Sequence, residues 1–428
     1  MKKKYRVEAL GCRTNQYEAQ AFRDQLETMG YEKASDDEEA ELVIVNTCTV
    51  TEGADSNSRH LIRNLVRKNP DGKVLVTGCL AERDPKGISS IEGVADVISN
   101  KDKELLLKRV FPDTDLPEFS ITRFDAHTRA FVKVQDGCNS FCSYCILPYV
   151  RGRSRSRTVD DIVKEVETLV SNGYKEVVIT GINVGDFDGG VKRGEKKVRL
   201  AELVHAVDQV EGLKRLRVSS IDPDEVDEEL QEVLLNGKCT CKSIHLVLQS
   251  GSNQVLKKMN RKYTRQIFLQ TVRRIQAACP DFTFTTDVIV GFPGETEYDF
   301  EQTIDVLKTV QFAKVHMFPF SVRQGTKAEF FENKICADVM RERRAKVLEV
   351  DEKEAFLLRQ KFVGRTMSLL TENIDDDDPE YISGHTDNFL RVSIPKEAYR
   401  PNELLNVVLL QNTPKGLIGD VVKKPSNF

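Results

Sequence analysis

Residues 134–157 read VQDGCNSFCSYCILPYVRGRSRSR and place Cys138, Cys142 and Cys145 in a C-x3-C-x2-C pattern, followed by a run of arginines. A tetrahedral zinc site or a fully ligated iron–sulfur cluster takes four protein ligands, so this triplet is one ligand short. A partial zinc site or a chance cluster is one explanation, but the rest of the chain has no CxxC or HxxxC pair to complete a zinc site. The other explanation is a [4Fe–4S] cluster with one iron left open, as a catalytic metal site keeps an open position.

Length and composition indicate a multidomain protein of a reducing compartment. A chain of 428 residues exceeds what one hydrophobic core usually supports. It contains no apolar run long enough to cross a membrane, and the N-terminal MKKKYRVEALG lacks the apolar segment of a signal peptide. We therefore expect a cytoplasmic monomer without membrane contact. Thiols stay reduced there, so ten cysteines favour metal or cluster ligation over disulfides.

The first region, residues 1–118, alternates short apolar runs with amphipathic stretches, which predicts a doubly wound parallel α/β domain. The predicted strands are RVEALG (6–11), ELVIVNT (41–47), KVLVTG (73–78) and VADVIS (94–99). The predicted helices are EAQAFRDQLETMG (18–30), SNSRHLIRNLVRKNP (56–70) and KDKELLLKRVF (101–111). Proline and acidic residues in FPDTDLPEF (111–119) mark a linker.

The alternation resumes in residues 124–361 and repeats six times, which predicts a partial (βα)6 barrel rather than a complete eight-fold one. Its predicted strands are AFVKVQDG (130–137), EVVITG (176–181), RLRVSS (215–220), SIHLVL (243–248), FTTDVIVG (284–291) and KVHMFPF (314–320). Residues 362–428 show short apolar runs between turn residues and no helical pattern. That pattern predicts a small all-β, OB-like barrel, a fold often used to hold oligonucleotides.

Three more cysteines follow predicted strands of the first region, in LGCRTNQYE, VNTCTV and VTGCLAE. Because parallel strands present their carboxyl ends on one edge of a sheet, Cys12, Cys48 and Cys79 are expected to converge there. Each could instead be a buried small hydrophobe, as free cysteines often are. Three at the same place in the sheet favour a second three-cysteine cluster. Cys239, Cys241, Cys279 and Cys336 share no such pattern and are interpreted as structural thiols.

The spacing of the first triplet, with the aromatic Tyr144 before its third cysteine, resembles the radical S-adenosylmethionine (SAM) superfamily. The resemblance implies that the open iron binds the amino and carboxylate groups of SAM. Electron donation from the cluster would then cleave the sulfonium and give a 5′-deoxyadenosyl radical. The partial barrel predicted from strand periodicity agrees with the fold of that superfamily.

Over essentially its whole length, the chain with its two triplets resembles the methylthiotransferases. Supporting stretches are HLVLQSGSNQVLKKMNRKYT (245–264), TTDVIVGFPGETEYDF (285–300) and MFPFSVRQGTKA (317–328). The resemblance implies an auxiliary-cluster domain, a radical SAM core domain and a C-terminal TRAM domain. It also implies two [4Fe–4S] clusters, of which the one on Cys12, Cys48 and Cys79 carries the sulfur. One SAM would donate the methyl group and a second would be the source of the radical.

Residues at the predicted strand ends are candidates for holding SAM. They are Gly181 and Asn183 in TGINVGD, Ser219 and Ser220 in VSSIDP, Gln249 in LQSGS, Asp287 in the fifth barrel strand, and Tyr144. Each of the strand-end residues has a structural alternative as a helix cap or turn residue.

The family's substrates are isopentenyladenosine in tRNA, N6-threonylcarbamoyladenosine at tRNA position 37, and an aspartate of a ribosomal protein. The stretches CILPYVRGRSRSR and LGCRTNQYE are most similar to the threonylcarbamoyladenosine branch. Guanidinium groups bind phosphates bidentately, so Arg151, Arg153, Arg155 and Arg157 are candidates for contact with tRNA. A second basic patch comprises Lys192, Arg193, Lys196, Lys197 and Arg199. Both patches could instead be solvated loops.

Two further features bear on partners. Residues 363–428 carry seven basic and ten acidic side chains, which is unusual for a domain that grips RNA and keeps the ribosomal-protein substrate open. The resemblance implies an electron donor such as flavodoxin or ferredoxin. A non-enzymatic iron–sulfur electron carrier is a further alternative, but it would not need an open iron at a barrel mouth.

Overall fold

The computed structural model describes residues 3–125, 127–191, 194–375, 378–397 and 399–422. None of the helices in these ranges combines the length and apolar character needed to cross a bilayer. The structure contains an N-terminal α/β region, a central barrel and a C-terminal barrel, so the predicted fold class is confirmed.

The N-terminal region is a parallel sheet in the order β2-β1-β3-β4-β5. Its strands are β1 (Lys4–Ala9), β2 (Glu32–Lys33), β3 (Leu42–Thr47), β4 (Lys73–Gly78) and β5 (Val94–Val97). Its helices are α1 (Arg13–Thr28), α2 (Glu52–Lys68), α3 (Cys79–Arg83), α4 (Pro85–Ser89) and α5 (Leu106–Val110). Strand β3 is buried along its whole length: Leu42 and Ile44 pack into one apolar cluster, and Val43 and Val45 pack into another. Successive side chains of a strand point to opposite faces, so both faces of the sheet are covered.

The predicted N-terminal helices are found with shifted bounds. The second begins at Glu52 rather than 56 because the Thr51 hydroxyl accepts a hydrogen bond from the Ala54 amide and caps the first turn. The third is α-helical only over Leu106–Val110, since residues 103–105 form a tighter 3-10 turn.

The central region is an open barrel of six parallel strands that follow one another in chain order. They are β6 (Arg129–Lys133), β9 (Glu176–Thr180), β10 (Arg215–Val218), β11 (Ser243–His245), β12 (Thr283–Val290) and β13 (Lys314–Pro319). Two parallel bridges, Leu216 to Thr240 and Ile221 to Leu246, join the two halves of the sheet. In the described residues β6 and β13 do not pair, so a gap remains between the first and last strands.

Helices cover the outside of this barrel, and a short ribbon of β7 (Gln135–Asp136) and β8 (Arg155–Ser156) flanks the cysteine loop. The helices are α6 (Leu147–Arg151), α7 (Val159–Ser171), α8 (Leu200–Asp208), α9 (Glu228–Asn236), α10 (Asn253–Lys258), α11 (Arg265–Ala278), α12 (Glu297–Val310) and α13 (Ala337–Gln360). The predicted domain boundaries fall between elements: one lies between α5 and β6, and the other lies between α13 and the first strand of the C-terminal region.

The C-terminal region is a closed five-stranded barrel in the order β14-β15-β16-β18-β17. Its strands are β14 (Thr366–Ile374), β15 (Tyr381–Thr386), β16 (Arg391–Pro395), β17 (Leu404–Thr413) and β18 (Gly416–Val421). Of its acidic and basic residues, Asp376, Asp377, Lys423 and Lys424 lie outside the described residues.

Buried ion pairs join the N-terminal region to the central one. Lys103 Nζ lies 2.5 Å from Glu18 Oε1 and 3.2 Å from Asp136 Oδ2. Arg151 Nη1 lies 3.2 Å from Glu18 and 2.7 Å from Asp136 Oδ1. Glu18 and Lys103 belong to the N-terminal region, whereas Asp136 and Arg151 belong to the central one. We call these four side chains the buried ion network. Each acid is shared between one base of each region, so the two regions are held in one orientation.

A second tie joins the N-terminal region to the far edge of the central barrel. The loop after β13 brings Arg323 Nη1 to 2.8 Å from Asp55 Oδ2, and Ser321 Oγ accepts a hydrogen bond of 3.2 Å from the Glu52 amide. On the near edge, Lys133 at the end of β6 lies 3.5 Å from Glu18. The N-terminal region therefore spans the gap between β6 and β13.

The C-terminal barrel is fixed to the amino ends of β9 and β10. Arg217 donates 2.6 Å to Glu176 and reaches the carbonyls of Thr386 and Asp387 at 2.7 and 2.9 Å. The same guanidinium lies over the ring of Phe389. This contact lies at the end of the strands opposite to the loops that carry the cysteines of the central region.

Replacing Arg217 by Met should lower the free energy of unfolding by about 3 kcal/mol or more, because the carbonyls of Thr386 and Asp387 each lose a donor and the buried Glu176 loses its nearest cation. Urea unfolding measures the loss, and amide exchange should locate the loosened segment at residues 385–389. In the control, Arg199→Met removes an exposed pair with Asp227 and should cost less than about 1 kcal/mol. Equal losses in the two variants would contradict the anchoring role.

Candidate active site

All six cysteines of the two predicted triplets line one cavity of about 360 Å³. They are Cys12, Cys48, Cys79, Cys138, Cys142 and Cys145. The cavity lies between the carboxyl-end loops of the N-terminal sheet and those of the central barrel. The two triplets, which are far apart in sequence, therefore face the same space.

Three neighbouring strands bring the N-terminal triplet together. Cys48 and Cys79 directly follow β3 and β4, and Cys12 precedes α1 close to the end of β1. Two glycines make the close approach possible. Gly11 has φ +90°, and a Cβ there would lie 2.6 Å from Cys48 Sγ; Gly78 has φ +97°, and its Cβ would lie 2.5 Å from the Thr47 nitrogen. Both conformations favour glycine, and neither position has room for a side chain.

The second triplet lies on a loop between β7 and α6 that is fixed by backbone contacts. The Cys138 amide donates to the Gly152 carbonyl, and the Cys145 amide donates to the Cys142 carbonyl. Ser143 hydrogen-bonds to the carbonyls of Lys258 and Met259 on the far side of the barrel. The loop is therefore held from two directions before any ligand is bound.

Each triplet has a buried arginine at one sulfur. Arg151 Nε lies 3.3 Å from Cys79 Sγ, and Arg261 Nη1 lies 2.9 Å from Cys142 Sγ. Arg261 is also paired with Asp222. Guanidinium donors at these positions stabilise negative charge on sulfur.

Burial raises the pKa of four cysteine thiols of the site. The pKa of Cys48 rises to about 11, and the pKa values of Cys79, Cys138 and Cys145 are also raised, in each case mainly by desolvation. A thiolate in such a place needs a cation to replace its proton.

The donor set fits an iron–sulfur cluster at each triplet, because such clusters are held by cysteine thiolates. Within the described part of the chain, no three His, Cys, Asp or Glu side chains converge closely enough to hold a single metal ion. A cluster does not require that convergence, since each thiolate binds a different iron. Both triplets line the shared cavity, so clusters held by them would lie beside the same space.

Most of the residues predicted to hold SAM line this cavity: Tyr144, Gly181, Asn183, Ser220, Gln249 and Asp287. Ser219 is not among the lining residues, and its hydroxyl instead accepts a 3.5 Å hydrogen bond from Arg13. Gly181 lies against Gln135, whose Oε1 accepts from the amides of Ile182 and Asn183 and fixes that strand end. The individual contacts of these residues with SAM remain predictions.

The four arginines predicted to contact tRNA phosphates divide into two pairs. For Arg151 the prediction is wrong: its side chain has no exposed surface, and its donors bind Glu18, Asp136, Asn15 and Cys79. Arg157 points mostly inward, where it donates hydrogen bonds of 2.6 Å to Glu165 and 3.1 Å to the Tyr17 hydroxyl. Arg153 and Arg155 are exposed.

The second basic patch is described only in part. Lys192 and Arg193 lie outside the described residues, Lys196 and Lys197 are exposed, and Arg199 pairs with Asp227 and Glu229.

The sequence did not single out three charged residues of the site. Arg261 and Asp222 line the cavity, and Glu225 lies behind Asn183, whose amide donates 3.1 Å to it. Burial is the main cause that raises the pKa of Glu225 to about 7, and the negative charge of the nearby Asp222 is the second cause. Arg261 stands in the stretch 245–264 that resembles the family, and Asp222 stands in VSSIDP beside the candidates Ser219 and Ser220, but no spacing rule distinguishes either residue there.

Arg13 is a further residue of this region. Its guanidinium lies over the ring of Phe131, 5.4 Å from the ring centre, inside the central barrel. Burial is the main cause that lowers the pKa of Arg13 to about 10, and the positive charges of Arg129 and Arg217 lower it further.

Comparison with protein families finds two matches. Residues 132–307 match the Radical SAM superfamily, and residues 4–100 match the uncharacterized protein family UPF0004. The two matched segments carry the two cysteine triplets.

Relatives that match over nearly the full length carry names that state an activity and a substrate. The chain is 47% identical to the threonylcarbamoyladenosine tRNA methylthiotransferase MtaB of Chlamydia pneumoniae, over 98% of each chain. It is 36% identical to the protein of the same name from Bacillus subtilis, over 90% of this chain and 88% of that one. It is 37% identical to the tRNA-2-methylthio-N(6)-dimethylallyladenosine synthase of Lachnoclostridium phytofermentans, over 90% of this chain and 88% of that one.

Among solved structures, the radical S-adenosylmethionine methyltransferase TsrM of Kitasatospora setae, with cobalamin and a [4Fe-4S] cluster bound, matches with a TM-score of 0.53. The match covers 74% of this chain and 75% of that one at 16% identity. At this identity the similarity concerns the fold alone.

Replacing Glu225 by Gln should raise the free energy of unfolding at high pH. The folded-state pKa of about 7 exceeds the ordinary value of 4.5, so folding takes up a proton between these values. The contribution of Glu225 to stability therefore falls as pH rises through that window. The variant should match wild type near pH 4.5 and exceed it above pH 7 by an amount on the order of 1–3 kcal/mol.

Urea unfolding at a series of pH values measures this difference. Glu228→Gln, at an exposed position in the first turn of α9, is the matched control and should show no such trend. A difference between Glu225→Gln and wild type that does not change with pH would contradict the raised pKa.

Proposed function

Since the chain belongs to the radical SAM methylthiotransferases, we propose that it acts on N6-threonylcarbamoyladenosine at position 37 of tRNA and replaces the C2–H of the base by C–S–CH3. The chain is an enzyme that uses SAM and an iron–sulfur cluster. The substrate assignment is supported by the 47% identity over nearly the full length of the Chlamydia pneumoniae relative.

The observation that carries the proposal is the shared cavity of the two triplets. A cluster on Cys138, Cys142 and Cys145 would supply, with SAM, the radical that removes hydrogen from carbon. A second cluster on Cys12, Cys48 and Cys79 would hold the sulfur that the carbon then receives. A substrate carbon placed in a cavity of about 360 Å³ can face both. A C–H bond with no activating group requires this arrangement, because the carbon radical must react with sulfur before it reacts with any other group.

The atoms and groups balance over the reaction. The C2–H bond breaks, its hydrogen passes to the 5′ carbon of the adenosyl group, and a C–S bond forms to a methylated sulfide that the second cluster would hold. The one electron released when the carbon radical joins the thiolate would pass to that cluster. One SAM gives its methyl group and leaves as S-adenosylhomocysteine. The other leaves as methionine and 5′-deoxyadenosine. We expect a flavodoxin or ferredoxin to supply the electron for the second cleavage.

The chain's own residues orient the reactants and exclude water. Gln135 fixes the strand end that carries Gly181 and Asn183, and Arg261 holds Asp222 at the cavity wall. The apolar side chains Val247, Ile289, Phe318 and Phe320 line the same space. Such a wall keeps solvent from a reactive radical.

The exposed Arg153 and Arg155, beside the cysteine loop, are the candidates for phosphate contact. We further propose that the protein works as a monomer in the cytoplasm.

A dimethylallyladenosine substrate is the second candidate. The Lachnoclostridium phytofermentans relative with that printed activity is 37% identical, slightly more than the Bacillus subtilis relative named for threonylcarbamoyladenosine. The two substrates differ only in the group on N6 of the base.

Replacing Cys142 by Ala should abolish formation of 5′-deoxyadenosine from SAM, because the radical-generating cluster loses a ligand. Cys48→Ala should leave some uncoupled SAM cleavage but give no methylthiolated product. Iron per chain should fall by about half in either variant, since each triplet would hold its own cluster.

Cys336→Ala is the control, because this exposed thiol lies outside both triplets. It should retain full iron content and product formation. SAM cleavage that survives in Cys142→Ala would overturn the assignment of the two triplets.

Mass spectrometry of tRNA nucleosides tests the substrate. A deletion strain should lack 2-methylthio-N6-threonylcarbamoyladenosine and accumulate the unmodified N6-threonylcarbamoyladenosine, and the restored gene should reverse both changes. Loss of the 2-methylthio form of isopentenyladenosine instead would favour the second candidate.

A further inference from the structure

Arg13 carries a positive charge beside the site and has no carboxylate partner. It directly follows Cys12 and begins α1, but its side chain reaches into the central barrel. There its Nη1 makes one long hydrogen bond of 3.5 Å to the Ser219 hydroxyl. Among the described residues, no Asp or Glu oxygen lies within 4.0 Å of its nitrogens.

Three other arginines near the cavity are each paired with a carboxylate. Arg151 pairs with Glu18 and Asp136, Arg261 pairs with Asp222, and Arg323 pairs with Asp55. Arg13 therefore differs from each of them: most of its five N–H donors have no acceptor on the protein.

The acids nearest to Arg13 each lie within 4.0 Å of another basic side chain. Asp287 Oδ1 lies 3.4 Å from His245 Nε2, and Glu176 pairs with Arg217 at 2.6 Å and with Arg215 at 3.5 Å. Arg129, which also faces this interior, pairs with Glu372 at 3.2 Å. Arg129, Arg215 and Arg217 each have a carboxylate partner, whereas Arg13 has none within 4.0 Å among the described residues. An anionic group from outside the protein would balance it.

Arg13 is close to where the reaction takes place. Cys12 lines the cavity, and so does Ser220, the neighbour of the Ser219 hydroxyl that Arg13 contacts. Asp287, whose charge acts on Arg13, also lines it. A group that extends from a substrate in the cavity toward the barrel interior would meet the guanidinium.

The proposed substrate carries a suitable anion. Threonine is joined through its amine to a carbamoyl group on N6, so its carboxylate stays free, whereas an isopentenyl group is uncharged. N6 and C2 belong to the same purine, so the substituent must lie near the reacting carbon. A planar guanidinium binds a carboxylate through two parallel hydrogen bonds.

We propose that Arg13 binds the threonyl carboxylate of the substrate nucleoside and so selects it over adenosines with a neutral group on N6. This inference rests on the proposed function. It makes Arg13 a specificity-determining residue, separate from the groups that hold the clusters and SAM.

The test compares two RNAs with the reconstituted holoenzyme: an anticodon stem-loop with N6-threonylcarbamoyladenosine, and the same stem-loop with the threonine carboxylate converted to a carboxamide. Wild type should prefer the carboxylate in kcat/KM by about 10- to 100-fold, the range of a hydrogen bond to a charged group. Arg13→Gln should remove this preference by raising KM for the carboxylate RNA. The kcat/KM for the carboxamide RNA should change by less than about twofold. Arg13→Lys should restore part of the preference.

The dissociation constants of the two RNAs, measured by fluorescence anisotropy, give a readout separate from turnover. In wild type the carboxylate RNA should bind more tightly than the carboxamide RNA, and Arg13→Gln should remove this difference. Arg63→Gln, on the exposed side of α2 in the same region, is the control and should keep the wild-type ratio. Iron content equal to wild type shows that the variant still holds its clusters.

A wild-type ratio in Arg13→Gln would overturn the proposal, as would an equal loss on both RNAs, which indicates a structural role. The failure of the proposed function is distinct, because wild type would then methylthiolate neither stem-loop. Activity of wild type on an isopentenyladenosine stem-loop alone would overturn both the substrate assignment and the role of Arg13.

Discussion

The buried ion network of Glu18, Lys103, Asp136 and Arg151 determines how the two halves of the site face each other. Charges with almost no exposed surface are stable only when each meets its partner in good geometry, and removing one leaves the others unpaired at high cost. Apolar packing alone would allow the N-terminal region to slide or rotate on the barrel. The same Arg151 also reaches Cys79 Sγ, so the contact that aligns the regions also lies at a cysteine of the cavity.

Much of the fold could be predicted from the sequence because its elements obey local rules. The apolar runs of β3, β4 and the barrel strands are buried on both faces, and three cysteines at the ends of parallel strands must share an edge. That reasoning correctly anticipated that the N-terminal cysteines line one cavity. The bounds of the helices were less certain, because capping by a single residue such as Thr51 moves a helix start by a whole turn.

The roles of individual charged residues could not be predicted in this way. The run RGRSRSR contains four arginines of equal local character, yet Arg151 is buried and Arg153 is exposed. The difference depends on Glu18, which is 133 positions away in the chain. Arg261 and Arg13 were missed for the same reason, since their partners or lack of partners depend on which distant segments meet in the folded protein.

The gap between β6 and β13 has a consequence for the stability of the central barrel as a separate unit. In the described residues these two strands do not pair with each other, and each would offer unsatisfied backbone groups if the N-terminal region were removed. Exposed strand edges of this kind recruit other chains and promote aggregation. The N-terminal region, tied to one edge through Glu18 and to the other through Asp55, covers both. The N-terminal region thus protects the barrel from aggregation, and the barrel is not expected to stay soluble when expressed alone.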